Sequence, residues 1–290
     1  MKIKILTDLS AVLPKSIIEK YDIGIVPLSV KWEEENIGGA VESRELFKKM
    51  RSSLSETGPK TSQPSIGIFK KFFEESLKNY DEIIYLGISS QISGSVNSAA
   101  QALKFFSKED QEKITIYDSL GVDSSLGIMT LRAAELAQEG NSRKEIVEKM
   151  DNLKKNIFLF GFAGDPKWLV YGGRLGNTGA KIVRQLQKMG IRPIFELKKG
   201  KVKPGAIKFN AKDKAEALIK EIKGRIKERE AYLVITHSDI LNEAEDYQKR
   251  LKDECPNIKI LFLEEINPIV GSHMGPDSLV SSYYLKKNDV

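Results

Sequence analysis

Length, composition and charge narrow the class of protein to which this chain can belong. The 290 residues are 41% hydrophobic and 30% charged, which is typical of one large or two ordinary globular domains. No apolar run approaches the roughly 20 residues that span a bilayer, and the early charges argue against a signal peptide. One cysteine and two histidines argue against a disulfide framework or a zinc or iron–sulfur site. We therefore expect a cytoplasmic protein without a metal.

The net charge of +6 comes from one stretch of the chain. Residues 198–229 contain 12 Lys or Arg and four acidic residues, a local charge of +8, so the other 258 residues sum to −2. Such a patch attracts nucleic acid, an anionic membrane or an acidic protein surface, or is simply a solvated helix face.

The first half of the chain alternates short apolar runs with helical patterns. The patterns predict strands at 2–7, 25–32, 82–88 and 113–117, and helices at 15–21, 43–54, 67–79, 95–106 and 125–139. Ser142 and Glu145 form a capping box that opens a further helix to about residue 156. Strands separated by helices indicate a parallel sheet that is covered on both faces.

The second half has a different rhythm. Residues 192–197 and 202–209 flank K-K-G-K and predict a β-hairpin, and further strands are predicted at 157–162, 231–236, 258–263 and 278–285. Helices are predicted at 165–171, 180–189, 212–227 and 241–252. The change of rhythm places a domain boundary near 155–157.

Four polar segments follow or separate these elements, where ligands collect in open α/β sheets. They are P-K-T-S-Q-P-S at 59–65, I-S-S-Q-I-S-G-S at 88–95, Y-G-G-R-L at 171–175 and G-S-H-M-G-P at 271–276. Hydroxyls and helix N–H groups suit an anion, and Arg174 suits a carboxylate or phosphate. Each segment also has a plain structural interpretation, as a helix cap, a surface turn or a loop that holds His273.

The chemistry of these segments favours holding a carboxylate over cutting a bond. The sequence has no P-loop, no dinucleotide fingerprint and no G-x-S-x-G elbow. An alternative is a stand-alone hydrolase or phosphotransferase that uses His273 with Asp118 or Ser119. Nucleic-acid binding through residues 198–229 is the least favoured function, since no recognisable nucleic-acid motif accompanies the charge.

The order of these motifs resembles that of the DegV family of bacterial fatty-acid-binding proteins. The resemblance is carried by K-I-K-I-L-T-D-L-S-A-V-L-P at the start, K-T-S-Q-P-S at 60–65, S-G-S-V-N-S-A at 93–99, Y-D-S-L-G-V-D-S-S-L-G at 117–127, G-G-R-L at 172–175 and G-S-H-M-G-P at 271–276. It runs essentially from end to end.

The resemblance implies a two-domain α/β protein. Residues 1–156 would form an N-terminal domain with a mostly parallel sheet flanked by helices. Residues 157–290 would form a C-terminal α+β domain with a mixed or antiparallel sheet. One long-chain fatty acid would lie between the domains. The family's carboxylate contacts map onto Thr61, Ser62 and Ser93 with His273 nearby, and Gly94, Ser95 and Arg174 would support the site or face a partner.

The resemblance also implies a non-catalytic role. Some members resemble the acyl-binding subunit of a bacterial fatty acid kinase, which presents the carboxylate to a separate kinase for phospholipid synthesis. We then expect no catalytic residue, no cofactor besides the bound fatty acid, no nucleic-acid partner and at most transient membrane contact. The sequence departs from the family pattern at Ser95, where Thr is common, at Tyr171, where Lys is usual, at Asp277, where Gly is usual, and at Asn210, where Arg is frequent.

Overall fold

The computed structural model of the chain contains two main β-sheets, one from each half of the sequence. It describes residues 1–32, 35–37, 43–53, 57–175, 181, 183, 185–186, 188–189, 191, 193–207 and 211–286. The strands are β1 (Ile3–Asp8), β2 (Gly24–Val26), β3 (Ser29–Trp32), β4 (Glu35–Ile37), β5 (Lys60–Ser62), β6 (Glu82–Gly87), β7 (Ile114–Asp118), β8 (Ile157–Phe162), β9 (Pro193–Lys198), β10 (Lys201–Ile207), β11 (Ala231–His237), β12 (Ile258–Glu265) and β13 (Leu279–Leu285).

The helices lie between these strands. They are α1 (Lys15–Lys20), α2 (Ser43–Ser52), α3 (Ile66–Leu77), α4 (Ser95–Leu103), α5 (Lys108–Lys113), α6 (Asp123–Gln138), α7 (Arg143–Asn156), α8 (Lys167–Tyr171), α9 (Lys214–Ile226), α10 (Leu241–Glu254) and α11 (Pro268–Met274). Most of them agree with the predicted helices to within a few residues, including α7 with its capping box at Ser142 and Glu145. Of the predicted helix at 180–189, only some residues are described.

The N-terminal sheet is parallel and buried on both faces, as its apolar strands predict. Its strand order is β2-β1-β6-β7, and every neighbouring pair is parallel. In β6 the side chains alternate, so that Ile84 packs in a cluster with α6 while Ile83 and Tyr85 pack with Phe69 and other aromatic residues on the opposite face. Because the strands are parallel, their carboxyl ends and the loops that follow them meet at one edge.

The C-terminal sheet is mixed. Its order is β10-β9-β8-β13-β11-β12, in which β11 and β12 are parallel and the other pairs antiparallel. The predicted hairpin is confirmed as β9 and β10. Its two-residue turn, Lys199 and Gly200, has positive φ at both residues, which matches the twist of the strands it joins.

Helix α6 lies between the two sheets. It packs against β1 and β6 of the first sheet and against β8, β11 and β13 of the second. Gly127 lets this helix approach the loop between β1 and α1 closely. A Cβ at this position would lie 2.3 Å from the carbonyl oxygen of Val12. Twelve of the 16 residues of the helix are buried, as expected for a helix that is packed between two layers.

The predicted single strand at 25–32 is wrong. The chain instead forms β2, which joins the parallel sheet, and β3, which lies in a separate sheet with order β4-β3-β5. Pro27 stands between the two strands. A proline cannot donate a ladder hydrogen bond, so the pairing changes there. The segment that contains β5 was expected to be a loop, and its pairing with β3 corrects that expectation.

The segment at 271–276 was also expected to be a loop, and this is wrong for its first four residues. They form the end of α11, whose first turn is capped by Asn267, because its Oδ1 accepts from the N–H groups of Ile269 and Val270. Pro268 occupies the first helical position, which tolerates a missing N–H. His273 is therefore held on a helix.

The division into domains at 156/157 stays a prediction, although the change from one main sheet to the other falls between α7 and β8. Asn210 lies outside the described residues. Within the described ranges, no helix has both the length and the apolar character that crossing a bilayer requires.

Candidate functional site: a cavity between the two main sheets

A cavity lies between the two halves of the chain. Its wall combines residues from the loops at the carboxyl edge of the parallel sheet with residues of β8, β9, β10 and α11. It offers about 120 Å³ to the centre of a water-sized sphere. Most of the lining is apolar, and its members include Ile88, Leu159, Leu169, Phe195, Val202 and Ile269. A long apolar ligand with a polar end suits such a wall.

Strand β5 decides which of its hydroxyls reaches the cavity. Thr61 lines the cavity and is partly buried, whereas Ser62 is exposed to solvent and is not among the lining residues. Successive side chains of a strand point to opposite faces. The structure therefore brings Thr61 to the site and leaves Ser62 outside it, and the predicted carboxylate contact of Ser62 stays a prediction.

Thr61 is paired with His273 of α11. Their Oγ1 and Nε2 atoms lie 2.8 Å apart. Burial, with the positive charge of Arg174 as a smaller cause, lowers the pKa of His273 to about 3. The imidazole is therefore neutral at neutral pH. With a proton on Nε2 it donates to Thr61 and leaves the Thr61 hydroxyl hydrogen free for a ligand.

The second ring nitrogen of His273 explains the first glycine of the G-G-R segment. Nδ1 is buried and has no hydrogen-bond partner in the described part of the chain. A Cβ on Gly172 would lie 1.9 Å from this nitrogen, so only glycine lets the backbone approach the ring so closely. Gly173 has a φ of +72° and so completes the turn that presents Arg174.

Arg174 supplies positive charge to the cavity wall. It donates to the carbonyl oxygen of Gly172, and no carboxylate pairs with it among the residues that the structure describes. Burial lowers the pKa of its guanidinium from the ordinary value, yet an arginine stays protonated near neutrality. A partly buried cation without a counter-ion attracts an anion.

The loop between β6 and α4 adds further polar groups. Ser93 lines the cavity, and its Oγ lies 3.0 Å from the Oγ of Ser95 and accepts from the Ser95 N–H. Gly94 lets the side chain of Gln63 pass, since a Cβ there would lie 1.9 Å from the Gln63 Oε1. Gln63 donates to Ser98 at 2.8 Å and so ties this loop to the segment of Thr61. Ser93 and Gly94 thus face the cavity, whereas Ser95 is fully buried behind them.

A polar groove of about 660 Å³ adjoins this end of the cavity. It shares Ser93, Gly94 and Arg174 with the cavity and adds Lys201 and Lys203 of the hairpin. The Ser89 hydroxyl donates to the carbonyl oxygen of Gly200 at 2.9 Å and holds the hairpin beside the β6–α4 loop. We call this the mouth groove.

Two lining residues deeper in the wall were missed by the sequence analysis. Ser10 and Asp123 line the cavity and are 0% and 2% exposed. Burial raises the pKa of Asp123 to about 6. The only indication in the sequence was that Asp123 lies among the serine residues that follow β7. An acidic residue at the start of a helix is common, so this position did not point to a ligand site.

The predicted catalytic alternative is not assembled. Asp118 accepts from the N–H groups of Ser90 and Leu120, and Ser119 donates to the carbonyl oxygen of Gly87. Neither residue lines the cavity with His273. A histidine with a pKa of about 3 is also too weak a base to take a proton at neutral pH. The geometry favours holding an anion.

Comparisons with known proteins agree with this fold. The family model for DegV proteins matches residues 2–286. A DegV domain-containing protein of Staphylococcus aureus is 30% identical over 99% of both chains. The structure of a DegV family protein from Thermus thermophilus, described in terms of its fatty acid binding, superimposes with a TM-score of 0.89. The two chains are 24% identical, and the match covers 99% of this chain and 100% of that one.

A hypothetical protein from Thermotoga maritima, whose structure is described as revealing a fatty acid binding function, has a TM-score of 0.82 at 26% identity, with 99% of this chain and 100% of that chain covered. The family model covers nearly all of the sequence, and the resemblance seen in the motifs is confirmed by it. The chain belongs to the DegV family.

Proposed function

We propose that the protein binds one long-chain fatty acid, with the carboxylate at the mouth groove and the alkyl chain in the cavity. The observation that carries the proposal is a cavity wall that combines apolar side chains with Thr61, Ser93 and Arg174, for which the described residues provide no carboxylate partner. Related proteins whose structures are described in terms of fatty acid binding support the same ligand class.

The energetics favour such a ligand. Burying each CH₂ group contributes about 0.8 kcal/mol, so a palmitoyl chain contributes on the order of 10 kcal/mol before the cost of association. The carboxylate would accept from the hydroxyls of Thr61 and Ser93 and lie near Arg174. His273, neutral and bonded to Thr61, would orient the Thr61 hydroxyl and carry no charge of its own.

Binding of palmitic or stearic acid to delipidated protein tests this proposal. We expect Thr61→Val combined with Ser93→Ala to weaken affinity by about 100- to 10,000-fold, because two hydrogen bonds to a charged group are lost and each contributes roughly 1.5–3 kcal/mol. Thermal unfolding of the same variant should stay close to that of the parent. Parent protein that is folded and binds neither acid would contradict the proposal.

Ser62→Ala is the matched comparison on the same strand. Since Ser62 is exposed and outside the cavity, we expect its removal to leave affinity unchanged. A loss equal to that of Thr61→Val would instead restore Ser62 as a carboxylate contact.

We further propose that the protein presents the bound carboxylate to a separate ATP-dependent fatty acid kinase and has no catalytic residue of its own. The supporting feature is the mouth groove, where Lys201 and Lys203 stand beside Ser93 and Arg174. Within the basic stretch at 198–229, the cations of helix α9 differ from those of the hairpin in what surrounds them. Several cations of α9 pair with acids, for instance Lys214 with Glu243 at 3.2 Å, whereas the hairpin lysines line the groove.

Reconstitution with a bacterial fatty acid kinase tests this role. Protein loaded with palmitate should support ATP-dependent formation of an acyl phosphate, and Lys201→Glu with Lys203→Glu should slow it while palmitate affinity stays the same. Unaltered turnover in the charge-reversed variant would remove the groove from the partner interface. Acyl-ester or phosphoester turnover by the isolated chain, lost in His273→Ala, would favour the enzyme alternative.

A further inference from the structure

The deep wall of the cavity contains a carboxyl group that is only half satisfied. Oδ2 of Asp123 accepts from the hydroxyls of Thr236 at 2.8 Å and Ser124 at 3.2 Å. Oδ1 is buried and has no hydrogen-bond partner in the described ranges. The residue is 2% exposed and lines the otherwise largely apolar cavity.

The position of this carboxyl is fixed by the backbone on both sides. The Asp123 N–H donates to the carbonyl oxygen of Ser10 at 3.0 Å, and the Val12 N–H donates to the carbonyl oxygen of Asp123 at 3.4 Å. The φ of Asp123 is +54°, a conformation that aspartate adopts more readily than most residues. These two bonds hold the backbone of Asp123 against the loop that follows β1.

Asp123 lies outside the part of the wall that the cavity shares with the mouth groove. The shared residues are Ile92, Ser93, Gly94, Arg174 and Val202. Neither Asp123 nor Ser10 lines that groove. A fatty acid whose carboxylate lies near Arg174 would extend its chain along the rest of the cavity wall, which includes Asp123.

A plain alkyl chain in this position would leave Oδ1 buried without a partner, which costs free energy. A hydroxyl group on the chain removes this cost. Because burial raises the pKa of Asp123 to about 6, both protonation states lie close to neutral pH. A hydroxyl can donate to the ionised form and accept from the protonated one, whereas a keto oxygen can only accept.

We propose that Asp123 is a specificity-determining residue that hydrogen-bonds a hydroxyl group on the chain of the ligand, so that the preferred ligand is a long-chain hydroxy fatty acid. The inference rests on the proposed fatty-acid function, since it names a subclass of the same ligand in the same cavity. The inference is about the alkyl chain of the ligand, whereas the proposed function assigns Thr61, Ser93 and Arg174 to its carboxylate.

Competition binding with the full-length, delipidated protein tests the inference. Stearic acid is compared with a set of hydroxystearic acids that differ only in the position of the hydroxyl. We expect one or a few positions to bind about tenfold more tightly than stearic acid, the change that one satisfied buried hydrogen bond produces. In Asp123→Gly, which suits the positive φ and deletes the carboxyl, this preference should disappear.

Asp22→Gly is the matched control. Asp22 also has a positive φ, of 48°, but lies on the surface, where it pairs with Lys4. It should keep the preference for the hydroxy acid. Asp123→Asn is the second variant, for use if Asp123→Gly unfolds at a lower temperature than the parent. Asparagine retains the shape of the side chain and tolerates a positive φ, and this variant should reduce the preference for the hydroxy acid.

The outcomes separate this inference from the proposed function. Equal affinity of the parent for stearic acid and every hydroxystearic acid would overturn the inference, as would a preference that persists in Asp123→Gly. If neither stearic nor hydroxystearic acid binds to folded parent protein, the proposed function fails and the inference fails with it.

Discussion

The Nε2 atom of His273 and the Oγ1 atom of Thr61 lie 2.8 Å apart although 212 residues separate them in the chain. The pair joins the short strand β5 to the buried helix α11 in the wall of the cavity. Since β5 belongs to the first half of the chain and α11 to the second, the cavity is complete only when both halves are in contact.

The contact between Gly172 and His273 gives a first prediction. In Gly172→Ala the new methyl would lie 1.9 Å from Nδ1, so the ring must move and its bond to Thr61 is lost. We expect the free energy of unfolding to fall by about 1–3 kcal/mol, as for other overpacked sites, and fatty-acid affinity to fall too. Gly173→Asn is the control, since its positive φ suits asparagine and nothing lies within 4 Å. Equal losses in both variants would argue against this contact.

His273 should make the protein sensitive to acid. Its pKa is about 3 in the folded chain and about 6.5 in the unfolded one. The unfolded chain therefore binds a proton that the folded chain does not, and stability falls as the pH drops from about 6.5 towards 3. Urea unfolding should show that the parent loses about 1–2 kcal/mol more between pH 7 and pH 5 than His273→Gln. Parallel pH profiles would refute this assignment.

Asp123 should act in the opposite direction over a similar range. Its pKa is about 6 in the folded chain and near 3.8 when unfolded, so the folded chain binds the proton more tightly. Its contribution to the free energy of unfolding is complete below about pH 3.8 and is lost as the pH rises through about 6. The total loss is about 2–3 kcal/mol. In Asp123→Asn this loss should be absent. Measuring Asp123→Asn in a His273→Gln background separates the effect of Asp123 from that of His273. Identical profiles of stability against pH with Asp123 and with Asn at this position would contradict the prediction.

Arg51 links α2 to two loops of the second half of the chain. It pairs with Asp239 and, at 2.6 Å, with Asp277, the residue that departs from the family pattern. We expect Arg51→Gln to lower the free energy of unfolding by about 0.5–1 kcal/mol, a small value because the pair is partly exposed.

Salt provides the check on the Arg51 prediction. In about 1 M NaCl the difference from the parent should shrink, because the charges are screened. Lys70→Gln, which removes a pair with Glu74 within one helix, should change stability less. A salt-independent loss in Arg51→Gln would indicate a packing effect.

Periodicity and caps predicted most elements because their determinants are local. The hairpin followed from K-K-G-K, and α7 from the capping box of Ser142 and Glu145. Strand β5 was missed because three polar residues carry no apolar alternation, and its pairing with β3 is a tertiary effect. Thr61 and Ser62 were both assigned to the carboxylate because the resemblance implied both, whereas neighbouring side chains of a strand point to opposite faces.

The site itself was predictable in its residue types and not in its contacts. The resemblance pointed to seven residues, of which Thr61, Ser93, Gly94, Arg174 and His273 line the cavity and Ser62 and Ser95 do not. The bond of His273 to Thr61 and its closeness to Gly172 depend on how α11 and α8 pack together. Asp123 was not singled out, because what distinguishes it is its burial and an Oδ1 atom that has no hydrogen-bond partner in the described ranges.

The division between the mouth groove and the cavity has a further consequence. A molecule outside the protein can touch Arg174, Lys201 and Lys203, whereas Leu159 and Phe195 lie behind them and are absent from the groove. Under the proposed function, a partner enzyme that contacts only the groove does not contact the alkyl chain of the ligand. Substitutions among the apolar lining residues would then change which fatty acid is accepted and leave the surface that faces the partner unchanged, so that one partner enzyme would serve several such proteins.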